Sequence, residues 1–186
     1  MKTILILGGS FGGVCTAHRL LKQAPKTGDV KIILLSQTTH FFWNIASTRA
    51  IVPGQMPDDK IFRAIAPGFK QYPADRFELV IGTAEKMDVE AKKVTVATAD
   101  GEEVLGYDIL ILATGASAKG DGPFKGRGSY EHTRDGLHEF QDKVKTATSI
   151  VVGGAGSTGV EVAGELGFEY GTQKKITLVC TSIFMI

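Results

Sequence analysis

The stretch Ile4–Gly13, Ile-Leu-Ile-Leu-Gly-Gly-Ser-Phe-Gly-Gly, constrains the fold more than any other part of the chain. Its four apolar residues read as a buried parallel strand. They run directly into a glycine-rich turn. Beyond the turn, Val14, Ala17, Leu20 and Leu21 recur at helical spacing. A strand, tight turn and helix in this order expose backbone N–H groups at a helix N-terminus, a favourable place for an anion. Glycine removes the Cβ that would keep a phosphate away from the backbone. The turn reads Gly8-x-Ser10-x-x-Gly13, against the G-x-G-x-x-G of dinucleotide-binding folds. Serine at the middle position leaves two outcomes open. Its hydroxyl donates to a pyrophosphate, or its bulk weakens binding.

The pattern predicts a helix over Phe11–Gln23, ended by Pro25 and Gly28, and a second apolar strand over Val30–Leu35. These make a βαβ unit. In such a unit the second strand commonly ends in an acidic residue that binds a ribose. Here Ser36 occupies that place, and the charge-assisted bond is lost. The aromatic run His40-Phe41-Phe42-Trp43 follows, either as a packed loop or as a wall beside a planar ring. Short helical patterns are expected over Ile45–Ile51 and Lys60–Ala66. The middle of the chain then turns β-rich, with strands at Phe77–Gly82, Ala84–Val89, Lys93–Thr98 and Glu102–Leu105. Tyr107–Leu112 reads as another buried parallel strand, ending in Ala113-Thr114-Gly115.

A glycine-rich linker containing Pro123 and a helix over Tyr130–Ala147 lead to a second version of the opening pattern. Ser149–Gly153 is a strand, Gly154-x-Gly156-x-x-Gly159 a complete fingerprint, and Val160, Val162, Ala163 and Leu166 belong to a helix. Lys175–Val179 is the next strand. The expected fold is α/β: a Rossmann-like three-layer arrangement with a parallel sheet, a β-rich insert and a second nucleotide-binding domain only partly present. The expected division is a first domain over 1–118, a linker and helix over 119–148, and the start of a second domain over 149–186.

Composition narrows the function classes. The 186 residues carry a net charge of +1, which gives no support for nucleic-acid binding. Cys15 and Cys180 are far apart and form no C-x-x-C arrangement, so they read as buried, unpaired thiols rather than a redox or zinc pair. His18, His40, His132 and His138 have no metal-ligand spacing. No secretory h-region and no apolar run of membrane-spanning length occur in the sequence. The expected location is cytoplasmic, with peripheral membrane contact left open.

The three motifs Leu7–Gly13, Tyr107–Gly115 and Gly154–Glu161 together resemble those of the pyridine nucleotide–disulfide oxidoreductase superfamily. The stretch Trp43–Ala50 is most similar to the apoptosis-inducing-factor-like branch, which includes the ferroptosis-suppressor quinone reductases, and especially to its fungal members. Type II NADH dehydrogenases are the main alternative within the class. The resemblance implies an FAD-dependent NAD(P)H oxidoreductase passing electrons to a small acceptor such as a quinone. It implies that Gly8, Gly9, Ser10, Phe11, Gly12 and Gly13 form the FAD pyrophosphate turn, with Ser36 near the adenosine ribose and Arg49 on FAD. Ala84 would meet the adenine through its backbone, and Thr114 and Gly115 would close over the flavin side. Gly154, Gly156 and Gly159 would admit the NAD(P)H pyrophosphate, with Glu161 near the nicotinamide. Read without the resemblance, Arg49 is a surface arginine and Glu161 a solvated helix glutamate. The chain reads as the N-terminal half of such an enzyme. A truncated nucleotide-binding module without turnover, or a plain dehydrogenase using only the first turn, are the competing expectations.

Overall fold

The structure, a computed structural model, describes residues 1–24, 30–120 and 122–180. In chain order its elements are β1 (Lys2–Leu7), α1 (Phe11–Gln23), β2 (Val30–Ser36) and β3 (His40–Phe42), then a 3-10 turn at Asn44–Ala46. Next come α2 (Ser47–Ala50), α3 (Asp58–Ile61), β4 (Phe62–Ala64), α4 (Ile65–Gly68), β5 (Phe77–Ile81), β6 (Thr83–Asp88), β7 (Lys93–Thr98), β8 (Gly101–Gly106) and β9 (Ile109–Leu112). The last elements are α5 (Tyr130–Thr146), β10 (Ser149–Gly153), α6 (Ser157–Tyr170) and β11 (Lys175–Val179). They form two compact units. One holds residues 1–42, 63–117 and 128–130; the other holds 43–62, 118–127 and the chain from 131 on.

The first unit is built on a parallel sheet in the order β5-β2-β1-β9. The apolar run of β1 is continuous because both faces of the sheet are covered. Ile4 and Ile6 join Ile32 and Leu34 against Ala17 and Leu21 of α1 and Ile65 and Phe69 beside α4. Leu5 and Leu7 join Ile33 and Leu35 on the opposite face, against Val94, Val96 and Leu105. Those last three belong to an antiparallel sheet, β6-β7-β8. Helices, parallel sheet and antiparallel sheet are therefore three layers, as expected. Each fully buried Leu or Ile in such a core contributes about 1.5–3 kcal/mol relative to exposure.

The second unit contains the other βαβ repeat. β10 and β11 pair in parallel, from Ser149 with Lys175 to Gly153 with Val179. Val162 and Leu166 of α6 are buried, as are Leu137 and Val144 of α5. The segment 43–62 belongs here, although in sequence it lies well within the first 118 residues. Its Ala50 carbonyl accepts a hydrogen bond from Gln141 Nε2 at 2.6 Å, and its Asp58 carboxylate meets His138 Nε2 at 2.9 Å.

Several local expectations need correction. Lys60–Ala66 is not one helix: α3 ends at Ile61, and Phe62 is extended at φ −111°, ψ 125°. Ile61, Phe62 and Ile65 imitate a helical face because all three are buried. The segment is drawn out instead as a strand, with Ile65 N–H bonded to Thr39 O at 3.0 Å. β9 is parallel as expected but not fully buried. It is an edge strand, and Ile109 and Leu112 are 48% and 64% exposed. Cys15 and Cys180 are exposed rather than buried. Cys15 lies on the outer side of α1, since Gly13, Ala17 and Leu21 form the inner side. The aromatic run is partly strand, and most of its rings pack on protein. His40 stacks on Tyr130 at 3.9 Å, Phe41 meets Phe11 edge-on at 4.7 Å and Phe42 is buried, while Trp43 stays 44% exposed. The Pro25–Gly28 stop signal and the Ile183–Ile186 tail lie outside the described residues.

α1 also carries a histidine packed among aromatic rings. His18 stacks on Phe69 at 4.0 Å, its Nδ1 lies 3.0 Å from Tyr72 Oη, and Phe69 stacks in turn on Phe77 at 3.8 Å. Burial, with a smaller contribution from the Lys22 charge, holds the His18 pKa below its ordinary 6.5. The unfolded chain thus binds this proton more readily than the folded one, and stability must fall as pH drops through the unfolded value. Thermal melts are expected to show the melting temperature decreasing below about pH 6.5, and less steeply in His18→Gln.

Candidate nucleotide-binding turns

The two glycine turns have the same construction. In the first, Gly8 sits at φ +122° and its N–H donates to Leu35 O at 2.8 Å. In the second, Gly154 sits at φ +110° and its N–H donates to Val179 O at 2.7 Å. Each turn is thus tied to the strand that follows its helix. The third fingerprint glycine is required for a different reason. A Cβ on Gly13 would lie 1.7 Å from Gly8 O, and one on Gly159 would lie 1.9 Å from Gly154 O. Only a bare Cα lets the helix start so close to the strand end. The first helical bonds are Val14 N–H to Ser10 O and Val160 N–H to Gly156 O. The preceding N–H groups, from Phe11 to Gly13 and from Ser157 to Gly159, have no partner within their own helix.

The middle position obeys another rule. A Cβ on Gly156 would meet nothing within 4 Å. The protein itself does not need glycine there; only a ligand pressed against the backbone would. Ser10 at the equivalent place is exposed and extended, at φ −110°, ψ −158°.

The first turn gathers most of its expected companions. Ala113 N–H donates to Leu7 O at 2.9 Å, so the chain after β9 runs beside the turn. A Cβ on Gly8 would fall 2.2 Å from Ala113 O and 3.2 Å from Thr114 N. Thr114 is exposed, and Gly115 turns the chain at φ +68°. A Cβ on Gly12 would meet only Ala113 Cβ, at 3.4 Å, whereas a Cβ on Gly9 would strike Ser36 Oγ at 2.2 Å. Ser36 is 2% exposed, and its hydroxyl donates to Thr38 O at 2.7 Å while accepting Thr38 N–H at 3.2 Å. Ala84 is exposed at the start of β6, paired with Val96 beside an irregularity that spans Ala84 to Lys86. Its strand follows directly from the β5 end, where Gly82 N–H donates to Ser36 O at 2.9 Å.

Arg49 is not in this group. It belongs to the second unit, where Nη1 pairs with Glu165 of α6 and Nη2 donates to Gln55 Oε1 at 2.6 Å. The pair is only half-buried, so solvent screening keeps its contribution to about 1 kcal/mol or less. Two separate partners fix the guanidinium geometry more than they stabilise the fold. Glu161 is exposed on the first turns of α6. An open cavity of about 690 Å³ lies in the second unit along β10 and the start of α6. Gly154, Gly156 and Gly159 line it together with apolar Phe140 and Leu166 and the cation Lys143. Sequence reasoning missed Glu165, Gln55 and Lys143. No motif marks them: Glu165 and Gln55 meet Arg49, and Lys143 of α5 lines the cavity by the second turn. Among the described residues, no cluster of His, Cys, Asp and Glu could hold a metal ion, and no helix is long and apolar enough to cross a membrane.

Two glycine turns at the ends of parallel strands, each opening a helix, define a protein of the dinucleotide-binding α/β class. The chain belongs to the pyridine nucleotide-disulphide oxidoreductase family, whose profile matches residues 2–182. It is 51% identical over 181 residues to oxidoreductase ptaL of Pestalotiopsis fici, covering 96% of this chain and 49% of that protein. It is 32% identical over 182 residues to human ferroptosis suppressor protein 1, covering 97% of this chain and 44% of the relative. The chain thus spans less than half the length of these relatives. Among solved structures, the sulfide:quinone oxidoreductase of Aquifex aeolicus has the same fold, with a TM-score of 0.71 at 24% identity, over 95% of this chain and 42% of that one.

The glycine geometry makes opposite demands within one helix. Gly159→Ala must push Gly154 O away and is expected to cost about 1–3 kcal/mol, as overpacking does. Gly164→Ala, in the same helix with open space around it, is expected to stabilise by about 0.4–1 kcal/mol through the unfolded state. Denaturant melts of the two variants check both signs.

Proposed function

We propose that the chain is the nucleotide-binding part of an FAD-dependent NAD(P)H oxidoreductase, with FAD on the first glycine turn and NAD(P)H on the second. The observation that carries this reading is the duplicated turn: Gly8 and Gly13 in one unit and Gly154 and Gly159 in the other repeat one close-packed geometry. Family membership supports the choice of a flavin and a nicotinamide over two copies of one ligand. When bound, the two cofactors supply hydride transfer and onward electron release.

The protein's own part is binding and exclusion. The N–H groups of Phe11–Gly13 and the start of α1 receive one pyrophosphate; those of Ser157–Gly159 receive the other. Ser10 presents an exposed hydroxyl to the first. Thr114 and Gly115 run beside the first turn and border its ligand there. Lys143 adds a cation to the wall of the cavity by the second turn, where a diphosphate's charge would be balanced. Arg49, whose guanidinium is engaged by Glu165 and Gln55, would have to give up one of these partners to contact a cofactor. Glu161 stands in the first turns of α6, consistent with a place near the nicotinamide. The acceptor we infer is a quinone or similar small molecule, following the resemblance to the ferroptosis-suppressor quinone reductases. Peripheral membrane contact would suit an apolar acceptor of that kind.

Reconstitution tests the reading. After incubation with FAD and removal of the unbound cofactor, the chain is expected to retain flavin absorbance. Anaerobic stopped-flow mixing with NADH or NADPH is then expected to bleach it, and a short-chain quinone to restore it. Retained flavin that stays oxidised would point to a nucleotide-binding module without turnover. Failure to retain any flavin would remove FAD from the first turn.

A further inference from the structure

We propose that Gln37, rather than the strand-ending Ser36, receives the adenosine ribose of FAD, with Thr83 holding its side chain in place. This rests on the FAD reading of the first turn.

Ser36 is already committed. Its side chain sits under the turn, so close to Gly9 that a Cβ there would fall 2.2 Å from the hydroxyl oxygen. Its single donor is spent on Thr38 O and it accepts the Thr38 N–H. At 2% exposure it offers no surface to a ligand. It acts as a wedge that sets the height of the turn. A carboxylate at this position would have to turn outward or displace Gly9.

The next residue has the missing properties. Gln37 is exposed, the first residue beyond β2. Two backbone bonds fix its surroundings: Gly8 N–H to Leu35 O on one side, and Gly82 N–H to Ser36 O on the other. The end of β2 is thus fastened between the glycine turn and the corner leading into β6. Gln37 Nε2 donates to Thr83 Oγ1 at 3.3 Å, the residue before Ala84. That bond uses the amide nitrogen, and among the described residues Oε1 has no hydrogen-bond donor. Sugar hydroxyls are donors, and an amide oxygen is a neutral acceptor that can take one or both of them. The neighbouring hydroxyls are occupied. Thr38 Oγ1 donates to His40 O at 3.3 Å and accepts His40 N–H at 3.2 Å, and Thr39 Oγ1 lies 2.8 Å from His40 Nδ1. The acceptor function that an acidic residue performs at a strand end has moved one residue along the chain and lost its charge.

The test compares FAD with its analogue lacking the adenosine 2′-hydroxyl, each titrated against the apoprotein by flavin fluorescence. Parent protein is expected to bind the deoxy analogue about three- to tenfold more weakly, the range for one neutral hydrogen bond. In Gln37→Ala the ratio should fall to about one, with the melting temperature unchanged because the residue is exposed. Gln37→Glu should widen the ratio, since its bond is charge-assisted. Ser36→Ala should lower the melting temperature yet keep the parent ratio. A parent ratio of one overturns the proposal. So does a ratio that survives in Gln37→Ala or disappears in Ser36→Ala. If the parent binds neither flavin, the FAD reading itself fails before any variant is made, and the assignment falls with it.

Discussion

Everything in this structure that concerns nucleotide binding depends on one close approach, repeated twice. The carbonyl of the first turn glycine lies against the bare Cα of the glycine five residues on, Gly8 against Gly13 and Gly154 against Gly159. That contact fixes where each helix begins relative to its strand. Because the helix begins there, its uncapped N–H groups open at the carboxyl edge of the sheet, where ligands of open parallel sheets bind. The bonds from Gly8 to Leu35 and from Gly154 to Val179 then tie each turn to the next strand. The sheet registers, from Leu7 with Leu35 to Gly153 with Val179, carry that geometry through each unit.

Much of this was legible in sequence because it rests on local rules. Continuous apolar runs gave β1 and β2, helical spacing gave α1 and α6, and the glycine spacing gave both turns. The β-rich stretch was expected as an insert, and its Val94, Val96 and Leu105 cover one face of the parallel sheet. What was not legible depends on long-range neighbours. Phe62 is extended although it sits in a helix-like apolar pattern. β9 has the most apolar sequence of its kind yet lies at a sheet edge, because composition does not report strand order.

The site shows the same division. Glycines are readable because their role is steric and local. Polar residues are harder, since a side chain's function depends on what it has already spent its hydrogen bonds on. Ser36 stands at the expected position, but Thr38 takes its hydroxyl. Arg49 stands in the expected motif, but Glu165, 116 positions away, takes its guanidinium. Position along the chain identifies candidates; the hydrogen-bond inventory decides which of them remain available.

The membership of segment 43–62 in the second unit has a consequence for how this chain is made. Neither unit is a continuous stretch: the first is interrupted by the segment that carries Arg49, and that segment is separated from the rest of the second unit by residues 63–117. On a ribosome, α1 and the early strands of the first sheet can assemble while the chain is still short. The segment from Trp43 onward, with its buried Ala50, Ile51 and Val52, must keep its apolar side chains uncommitted until α5 and α6 emerge. Closing so large a loop is entropically slow. The order of synthesis therefore gives this chain an interval in which its later unit is open to a chaperone and its earlier one is not.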